Sequence, residues 1–344
     1  MPKRRELLRA AAVGTAVFGF PAVLRSQATI VLKLSHYLPT AHGLHRDFME
    51  PWARELEQRT GGAVKVEIFP GGTQLGNVAK QYDQVRAGIV DIAHGLHGIP
   101  AGRFPRTSIV DLPFLTESAD AASRALWALH ERYFAEEYPD VKVLAVHAHN
   151  GGLVHTRAKQ VTRMEDLRGL RIRFPSAATK MMLEQLGAIP VGLPPAQIYE
   201  SLQKGVIDGL VMPWDPMHSF KLAELIDYHL DARCYTVSFY FVMNQRRYDS
   251  LPAEVRAAID SLSGESLVAK FGPWWNAWDE LGRRDSLADG GQVTRLSDEE
   301  RGRWREALEP MIDAYIADLE RQGIGNAREI YDALQAKVAE FERT

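Results

Sequence analysis

Residues 83–91 read Asp83-Gln84-Val85-Arg86-Ala87-Gly88-Ile89-Val90-Asp91, and residues 200–208 read Glu200-Ser201-Leu202-Gln203-Lys204-Gly205-Val206-Ile207-Asp208. The two stretches match in residue class at nearly every position, and each follows a loop rich in proline or glycine. Each predicts the end of a helix, a glycine in the left-handed conformation, and two aliphatic residues that enter a sheet covered on both faces. One unit that occurs twice indicates two lobes of related topology.

Around the first copy, strand-like and helical patterns alternate along the chain. Ile30–Ser35 and Val64–Phe69 are rich in β-forming residues and predict strands. Between them, Phe48, Trp52 and Leu56 recur at four-residue spacing, which predicts a helix whose apolar face packs in the core. This alternation is typical of an α/β protein.

The chain is predicted to cross between the lobes twice. Val141–His147 predicts a strand, and Asn150-Gly151-Gly152 supplies a flexible turn where the chain enters the second lobe. After the second copy, the β-rich run Cys234–Asn244 brings the chain back. From Leu251 onward the pattern is helical.

Two features of the second half of the chain are interpreted as parts of the hydrophobic core. Trp274, Trp275 and Trp278 share one helix face, for which burial is favoured over stacking on a ligand. Cys234 is the only cysteine, so the chain forms no internal disulfide. Its aromatic surroundings predict a buried, inert thiol.

The N-terminus has the pattern of a cleaved export signal. Lys3, Arg4 and Arg5 precede an uncharged stretch, residues 10–24, that is too short to span a bilayer. Small residues place cleavage after Ala28. The arginine pair points to twin-arginine export, although a basic segment of this kind also serves general secretion.

Charge and length narrow the function of the mature chain. Removing residues 1–28 takes away five positive charges and one negative, so the formal charge changes from −3 to −7. An acidic protein is a poor nucleic-acid binder. The remaining 316 of the 344 residues exceed the size of one hydrophobic core, which again favours two lobes. No other stretch reaches the length of a membrane-spanning helix, so the mature chain is not expected to insert into a membrane.

The segment Leu167–Ser176 carries the clearest binding chemistry. It predicts a strand that presents Arg173 just before Pro175 and Ser176, and the serine is placed to cap a helix over Ala177–Leu186. The carboxyl end of a strand beside a helix N-terminus is where α/β sheets bind anions, and a guanidinium pairs well with a carboxylate. From this segment alone, an exposed strand arginine is favoured over a ligand-binding one.

Six stretches, in this order, resemble the substrate-binding proteins of tripartite ATP-independent periplasmic (TRAP) transporters: residues 69–76, 111–114, 167–173, 187–191, 198–203 and 205–209. The resemblance covers essentially the whole mature chain. It implies an α/β, two-lobed periplasmic binding protein fold, with two mixed sheets flanked by helices and joined by hinge strands and a long helix. It also implies a monomeric receptor without cofactor or catalytic activity, which closes over an organic acid paired with Arg173 and delivers it to integral-membrane permease subunits.

With this resemblance the chain divides into five predicted parts: an export signal (1–28), lobe I (29–150), lobe II (151–234), a return segment to lobe I with the hinge (235–265), and a connecting helix with C-terminal helices that pack on the lobes (266–344).

Two departures from the family bear on the ligand. Sialic-acid-type members carry an arginine where this chain has Leu153 after Asn150-Gly151-Gly152, and many members have an asparagine where it has Met212. Trp214 and the family segment at Phe239 add aromatic surface near the cleft. We therefore favour an apolar or aromatic monocarboxylate over a sugar acid, while Leu153 and Met212 are equally compatible with core positions. The predicted ligand-binding residues are His36, Tyr37, His97, Asn150, Leu153, Arg173, Ser176, Met212, Trp214 and Phe239.

A metal-capturing receptor is the first alternative. His147 and His149 point the same way on a strand, and His94 and His97 flank a short turn, so four imidazoles are available for zinc or copper. Such pairs are common, however, and no carboxylate is spaced to complete them. For His97, a hydrogen bond to the ligand's carboxylate is favoured over metal binding.

A hydrolase without a recognisable motif is the second alternative. The chain has no Gly-x-Ser-x-Gly elbow, no phosphate-binding Gly-x-x-x-x-Gly-Lys and no His-Glu-x-x-His. Scattered catalytic residues would escape such a search, whereas a binding protein needs none of these motifs.

Overall fold

The structure, a computed structural model, describes residues 29–343. The predicted export signal, residues 1–28, lies outside the described residues. Strands within the described part form two mixed sheets, which confirms the predicted α/β, two-lobed architecture. The strands are β1 (Ile30–Ser35), β2 (Val64–Phe69), β3 (Ile92–Leu96), β4 (Val141–Ala148), β5 (Leu153–Thr156), β6 (Arg171–Phe174), β7 (Ile189–Gly192), β8 (Gly209–Met212), β9 (Tyr228–Asp231), β10 (Ser238–Asn244) and β11 (Gln292–Arg295).

The strand directions bring particular strand ends to one edge of each sheet. The first sheet has the order β2-β1-β3-β10-β4, in which β1 is parallel to β2 and β3, and β10 is antiparallel to β3 and β4. The second has the order β11-β9-β5-β8-β6-β7, in which β6 is parallel to β7 and β8, and β5 is antiparallel to β8 and β9. The carboxyl ends of β1, β3 and β4 therefore share an edge with the amino end of β10. In the second sheet, the carboxyl ends of β6 and β8 share an edge with the amino end of β5.

Helices flank both sheets, and a long one joins them. Helix α10 packs against α3, which lies on β4 of the first sheet, and against α6, which follows β8 of the second. No helix described within residues 29–343 is long and apolar enough to cross a membrane. The α-helices are α1 (Glu50–Arg59), α2 (Gln81–Arg86), α3 (Ala119–Leu129), α4 (Ala177–Gln185), α5 (Ile198–Gln203), α6 (Asp215–Ser219), α7 (Gln245–Asp249), α8 (Ala253–Ser261), α9 (Glu265–Val268), α10 (Phe271–Ala288), α11 (Asp298–Arg321) and α12 (Ala327–Phe341).

The repeated unit has the same geometry in both lobes. Helices α2 and α5 each end just before a glycine with positive φ, Gly88 at 73° and Gly205 at 68°. The prediction that both following aliphatic residues enter the sheet is wrong, because both precede the strand: Ile89 and Val206 are 54% and 47% exposed, whereas Val90 and Ile207 are buried.

Strands β3 and β8 begin only after the aspartate of each unit. The Asp91 carboxylate accepts a hydrogen bond of 2.7 Å from a backbone N–H of β1, and the Asp208 carboxylate accepts one of 2.8 Å from a backbone N–H of β6. Each aspartate side chain thus accepts from a backbone N–H that would otherwise bond the backbone of the neighbouring strand. The hydrogen-bond ladders of β3 and β8 therefore start later than predicted.

The chain passes from the first sheet to the second between β4 and β5, and returns between β9 and β10. These two connections are hydrogen-bonded to each other. Gly152 N donates to Tyr235 O at 2.7 Å, and Cys234 N donates to Gly152 O at 3.1 Å. Cys234 is buried, as predicted, and burial raises the pKa of its thiol to about 12.

The region after Leu251 is not purely helical. Gln292–Arg295 forms β11, which pairs in parallel with β9 at the edge of the second sheet. The prediction of helices alone is wrong here, because four residues are too few for a period-two pattern to stand out. The predicted core face of the first helix is confirmed, since Phe48, Trp52 and Leu56 are all buried.

Candidate ligand-binding site

Side chains from the two sheet edges line one cavity between the lobes. The first sheet contributes Tyr37 just after β1, Leu96 at the end of β3 and Phe239 near the start of β10. The second contributes Arg173 near the end of β6 and Met212 at the end of β8. Ligands of α/β sheets characteristically bind beyond the carboxyl ends of strands.

The lining of this cavity is largely apolar. Its empty space is about 440 Å³, part of which is open to solvent. Among the described residues that line it, none is an aspartate, glutamate or lysine. Aliphatic residues and prolines form part of the lining. Besides Tyr37 and Phe239, five aromatic or imidazole side chains also line the cavity: His42, His149, Phe220, Tyr235 and Trp275.

Arg173 brings a buried positive charge to the cavity. Its side chain is 1% exposed, and its Nε donates to the backbone oxygen of Leu193 at 3.1 Å. Within residues 29–343 no carboxylate lies within ion-pair distance, and the two Nη groups have no hydrogen-bond partner. Burial lowers the pKa of the guanidinium to about 10, so it remains protonated at neutral pH. A buried cation without a counter-ion is energetically costly, which makes this end of the cavity a receptor for an anion.

Two phenols lie close to this guanidinium. Burial raises the pKa of Tyr37 and of Tyr235 above the usual range, and the positive charge of Arg173 partly opposes that rise. Both groups therefore stay in the O–H form. The Tyr235 hydroxyl is buried without a partner among the described residues, and no described residue hydrogen-bonds the Tyr37 hydroxyl. This end of the cavity consequently presents three groups that donate hydrogen bonds.

Aromatic rings surround the rest of the cavity. The rings of Phe239 and Trp275 are stacked with centroids 5.7 Å apart, and the ring of His149 lies 5.8 Å from Trp275. His42 lies edge-on to Phe220 at 6.1 Å and to Trp275 at 6.2 Å. Such a lining favours a flat, apolar ligand body.

Neighbouring groups already engage the two imidazoles of the lining. His149 Nδ1 donates to Asn150 O, while its Nε2 accepts from Val237 N at 3.2 Å. Burial lowers the pKa of His149 to about 4, so the ring is neutral. His42 Nε2 lies 2.9 Å from Asp215 Oδ2. These contacts fix the ring orientations, so the two imidazoles act as walls of the cavity.

Five of the ten predicted residues lie in or next to this cavity. Arg173, Tyr37, Met212 and Phe239 line it. Ser176 lines a neighbouring pocket that shares Tyr37, Pro175 and Pro195 with the cavity, and its hydroxyl caps α4 by accepting from the backbone N–H of Thr179 at 3.5 Å.

Leu153 and Trp214 lie outside the lining, in the apolar core of the second lobe. Trp214 packs between two histidine rings, at 5.4 Å from His155 and 4.9 Å from His229. Leu153 is 2% exposed at the start of β5. The core interpretation therefore describes Leu153 in this structure, whereas Met212 faces the cavity.

His36 and His97 also lie outside the lining, because other side chains hold them. His36 Nε2 lies 2.8 Å from His45 Nδ1. His97 Nδ1 lies 2.8 Å from Ser238 Oγ, and its Nε2 lies 2.6 Å from the hydroxyl of Tyr138. His36 Nδ1 accepts from Leu38 N at 3.2 Å, so neither ring has a nitrogen left for a ligand.

Asn150 lies outside the cavity lining, on the connection between β4 and β5, and its side chain forms hydrogen bonds with two helices. Its Oδ1 accepts from Ala119 N at the start of α3 at 3.0 Å, and its Nδ2 donates to Asp279 Oδ2 on α10 at 2.9 Å. Asp279 Oδ1 accepts from Asp215 N at 2.9 Å. Burial raises the pKa of Asp279 to about 7.

The four histidines of the metal alternative do not form one group. His94 Nε2 lies 2.9 Å from His147 Nε2, and the ring of His147 lies parallel to that of Phe271 at 3.7 Å. His97 and His149 are occupied by the partners described above. Within residues 29–343, no cluster of three or more His, Cys, Asp or Glu side chains is arranged to hold a metal ion.

Comparison with known proteins identifies the family. The sequence model of one protein family, the bacterial extracellular solute-binding proteins of family 7, matches residues 34–318. The chain belongs to this family. It is therefore a substrate-binding receptor of a TRAP transporter rather than an enzyme, as the resemblance implied.

Several relatives of this TRAP receptor have known structures. A marine metagenome TRAP solute-binding protein, described as specific for aromatic acid ligands and solved with 3-hydroxybenzoate, is 34% identical, with a TM-score of 0.88 over 91% of this chain and 98% of that chain. A TRAP solute-binding protein of Rhodoferax ferrireducens, solved with copurified benzoate, is 32% identical, with a TM-score of 0.87 over 92% and 99%. Among curated proteins, the outer membrane transporter protein TsaT of Comamonas testosteroni is 27% identical over 98% of both chains.

Sequence reasoning missed part of this TRAP receptor's cavity. Tyr235 lies in the strand-like run Cys234–Asn244, Trp275 lies on the helix face whose burial the sequence favours, and no motif marks His42 or Phe220. Trp275 is indeed 2% exposed, but its buried ring is also part of the cavity wall. No local pattern separates an aromatic side chain that faces a closed cavity from one that faces the core.

Proposed function

We propose that this receptor captures an aromatic monocarboxylate in the periplasm and delivers it to the integral-membrane permease subunits of its transporter. The observation that carries the proposal is the guanidinium of Arg173, which has no carboxylate partner within residues 29–343, at one end of a cavity walled by aromatic and aliphatic side chains. One carboxylate neutralises Arg173, and a flat ring fills the remainder. A second carboxylate or several hydroxyls would lose water without gaining partners.

The relatives support this ligand class. Two of them, at 34% and 32% identity, were solved with 3-hydroxybenzoate and benzoate. Both ligands combine one carboxylate with one ring, which matches the distribution of charge and aromatic surface in this cavity.

We infer that the receptor is exported by a cleaved signal and closes over its ligand. The signal over residues 1–28 is cleaved after Ala28 once the chain has been exported, through the twin-arginine route that Arg4-Arg5 favours. The mature monomer closes lobe I (29–150) and lobe II (151–234) over the ligand. Residues 235–265 form the return segment to lobe I and the hinge. The connections near Asn150 and Cys234 act as the hinge.

A panel of acids tests the ligand class. The mature chain is unfolded, washed free of bound small molecules and refolded, and its melting temperature is measured with benzoate, 3-hydroxybenzoate, succinate, malate and glucuronate. A ligand at a hundred times its dissociation constant adds about 2.7 kcal/mol to the free energy of unfolding. We expect the two aromatic acids to raise the melting temperature most, and benzamide, a neutral analogue, to leave it unchanged.

Competition titrations are the control for the melting experiments, because they compare the affinities of the acids without heating the protein. Succinate, malate or glucuronate binding more tightly than both aromatic acids would contradict the proposed ligand class. Benzamide binding as tightly as benzoate would contradict the role of the guanidinium.

A further inference from the structure

We propose that Tyr235 and Tyr37 complete a carboxylate clamp with Arg173, in which both phenol hydroxyls donate hydrogen bonds to the ligand's carboxylate. This inference rests on the proposed function and specifies how the charged end of the ligand is recognised. The three donors come from three parts of the chain: Tyr37 follows β1 of the first sheet, Arg173 lies on β6 of the second, and Tyr235 lies on the connection between β9 and β10.

The Tyr235 hydroxyl is the observation that points to a missing partner. It is fully buried and has no hydrogen-bond partner among the described residues, and Tyr235 is one of the residues that line the cavity. A buried hydroxyl without a partner destabilises a protein, and most buried polar groups are paired. An anion in the cavity would pair this hydroxyl together with the free Nη groups of Arg173.

The Tyr235 ring is held in place before any ligand binds. The ring packs against Gly152, and the ring of His149 meets it edge-on, with centroids 5.6 Å apart and planes at 87°. A donor that is fixed in advance loses little entropy on binding. Tyr37 follows β1 of the first sheet and lines the same cavity as Arg173 and Tyr235.

The clamp predicts a preference for an ionised carboxylate. A carboxylate has two oxygens with about four lone pairs and accepts from several donors at once, whereas an amide brings an NH₂ group that would face other donors. A site built only of donors therefore rejects amides and amines more strongly than a single arginine would.

Removal of single hydroxyls tests the clamp. Benzoate affinity is measured by calorimetry for the wild type, Tyr235→Phe, Tyr37→Phe and the control Tyr138→Phe, whose hydroxyl bonds His97 outside the cavity lining. We expect Tyr235→Phe and Tyr37→Phe each to weaken binding about ten- to a hundredfold, the effect of losing a hydrogen bond to a charged group. The control should bind like the wild type.

Melting of the ligand-free proteins separates recognition from structure. Tyr235→Phe removes an unpaired hydroxyl and should not lower the melting temperature, whereas Tyr138→Phe removes a paired one and should lower it. Unchanged benzoate affinity in Tyr235→Phe overturns the clamp, and so does a loss of affinity that accompanies an equal loss of stability. If the wild type binds neither benzoate nor 3-hydroxybenzoate, the proposed function itself fails.

Discussion

The aromatic ring of Tyr235 packs directly on Gly152, so that a β-carbon at position 152 would lie 2.1 Å from Tyr235 Cε1 and 2.4 Å from its Cζ. Contacts this short do not occur between non-bonded atoms, and only glycine fits. Gly152 lies on the first connection between the sheets and Tyr235 on the second. The two connections therefore set the position of a cavity side chain as well as the path of the chain.

Gly152→Ala should displace the Tyr235 ring and weaken benzoate binding at least about tenfold, since the hydroxyl leaves the carboxylate. Overpacking should also lower the free energy of unfolding by roughly 1–3 kcal/mol. The control is Gly302→Ala in α11, where a β-carbon meets nothing within 4 Å. It should keep the affinity and stabilise the protein by about 0.5–1 kcal/mol. Full affinity in Gly152→Ala would contradict the packing argument.

Asp279 should make the stability of the protein depend on pH. Burial raises the pKa of its carboxyl to about 7, above the value of about 3.9 in an unfolded chain. The folded state therefore holds this proton more tightly, and its contribution to stability is present below about pH 4 and is lost as the pH rises through 7.

Asp279→Asn should remove this dependence. The free energy of unfolding of the variant minus that of the wild type should increase by about 2–3 kcal/mol when the pH is raised from 5 to 8. Urea unfolding of both proteins at the two pH values measures this difference. An identical difference at pH 5 and pH 8 would mean that Asp279 is ionised throughout.

The absence of acidic side chains from the described cavity lining should exclude amino acids. An ammonium group on the ligand would be buried without a counter-charge and close to Arg173. Phenylalanine should therefore bind at least about a hundredfold more weakly than 3-phenylpropionate, an estimate based on the cost of one unpaired buried charge. Displacement of bound benzoate by each compound measures the ratio, and comparable displacement would contradict the prediction.

Ligand binding should also compact the receptor. The cavity is lined by Tyr37 of the first lobe and Arg173 of the second, so a bound acid contacts both. Small-angle scattering of the ligand-free and benzoate-saturated protein should show a smaller radius of gyration in the complex. The same radius in both states would indicate that the lobes do not move.

The sequence predicted the fold well, because the fold depends on periodicity and on glycines in the left-handed conformation. Gly88 and Gly205 mark equivalent helix ends, and both have positive φ. The start of the following strands was predicted too early, because the aspartate side chains replace part of the ladder. That effect depends on a neighbouring strand, which a local pattern does not contain.

The site was predicted only in part, for a different physical reason. His36 and Tyr37 are adjacent after β1, yet Tyr37 lines the cavity while His36 bonds His45. Neighbouring residues after a strand point in different directions, and the local sequence does not specify which faces the cleft. Arg173 lies in the cavity lining, although its own segment favours an exposed strand arginine; the resemblance of the whole chain to TRAP receptors is what indicated a ligand-binding residue.

The most direct test of the central claim is a calorimetric titration of benzoate into wild type and Arg173→Lys. Lysine keeps the charge but loses the planar fork that makes two parallel hydrogen bonds, so affinity should fall by about 1.5–3 kcal/mol, or roughly ten- to a hundredfold. The matched control is Arg171→Lys on the same strand, because Arg171 pairs with Asp208 outside the cavity lining. We predict that this control binds benzoate like the wild type. Wild-type affinity in a folded Arg173→Lys protein would contradict the assignment of Arg173 as the residue that holds the acid.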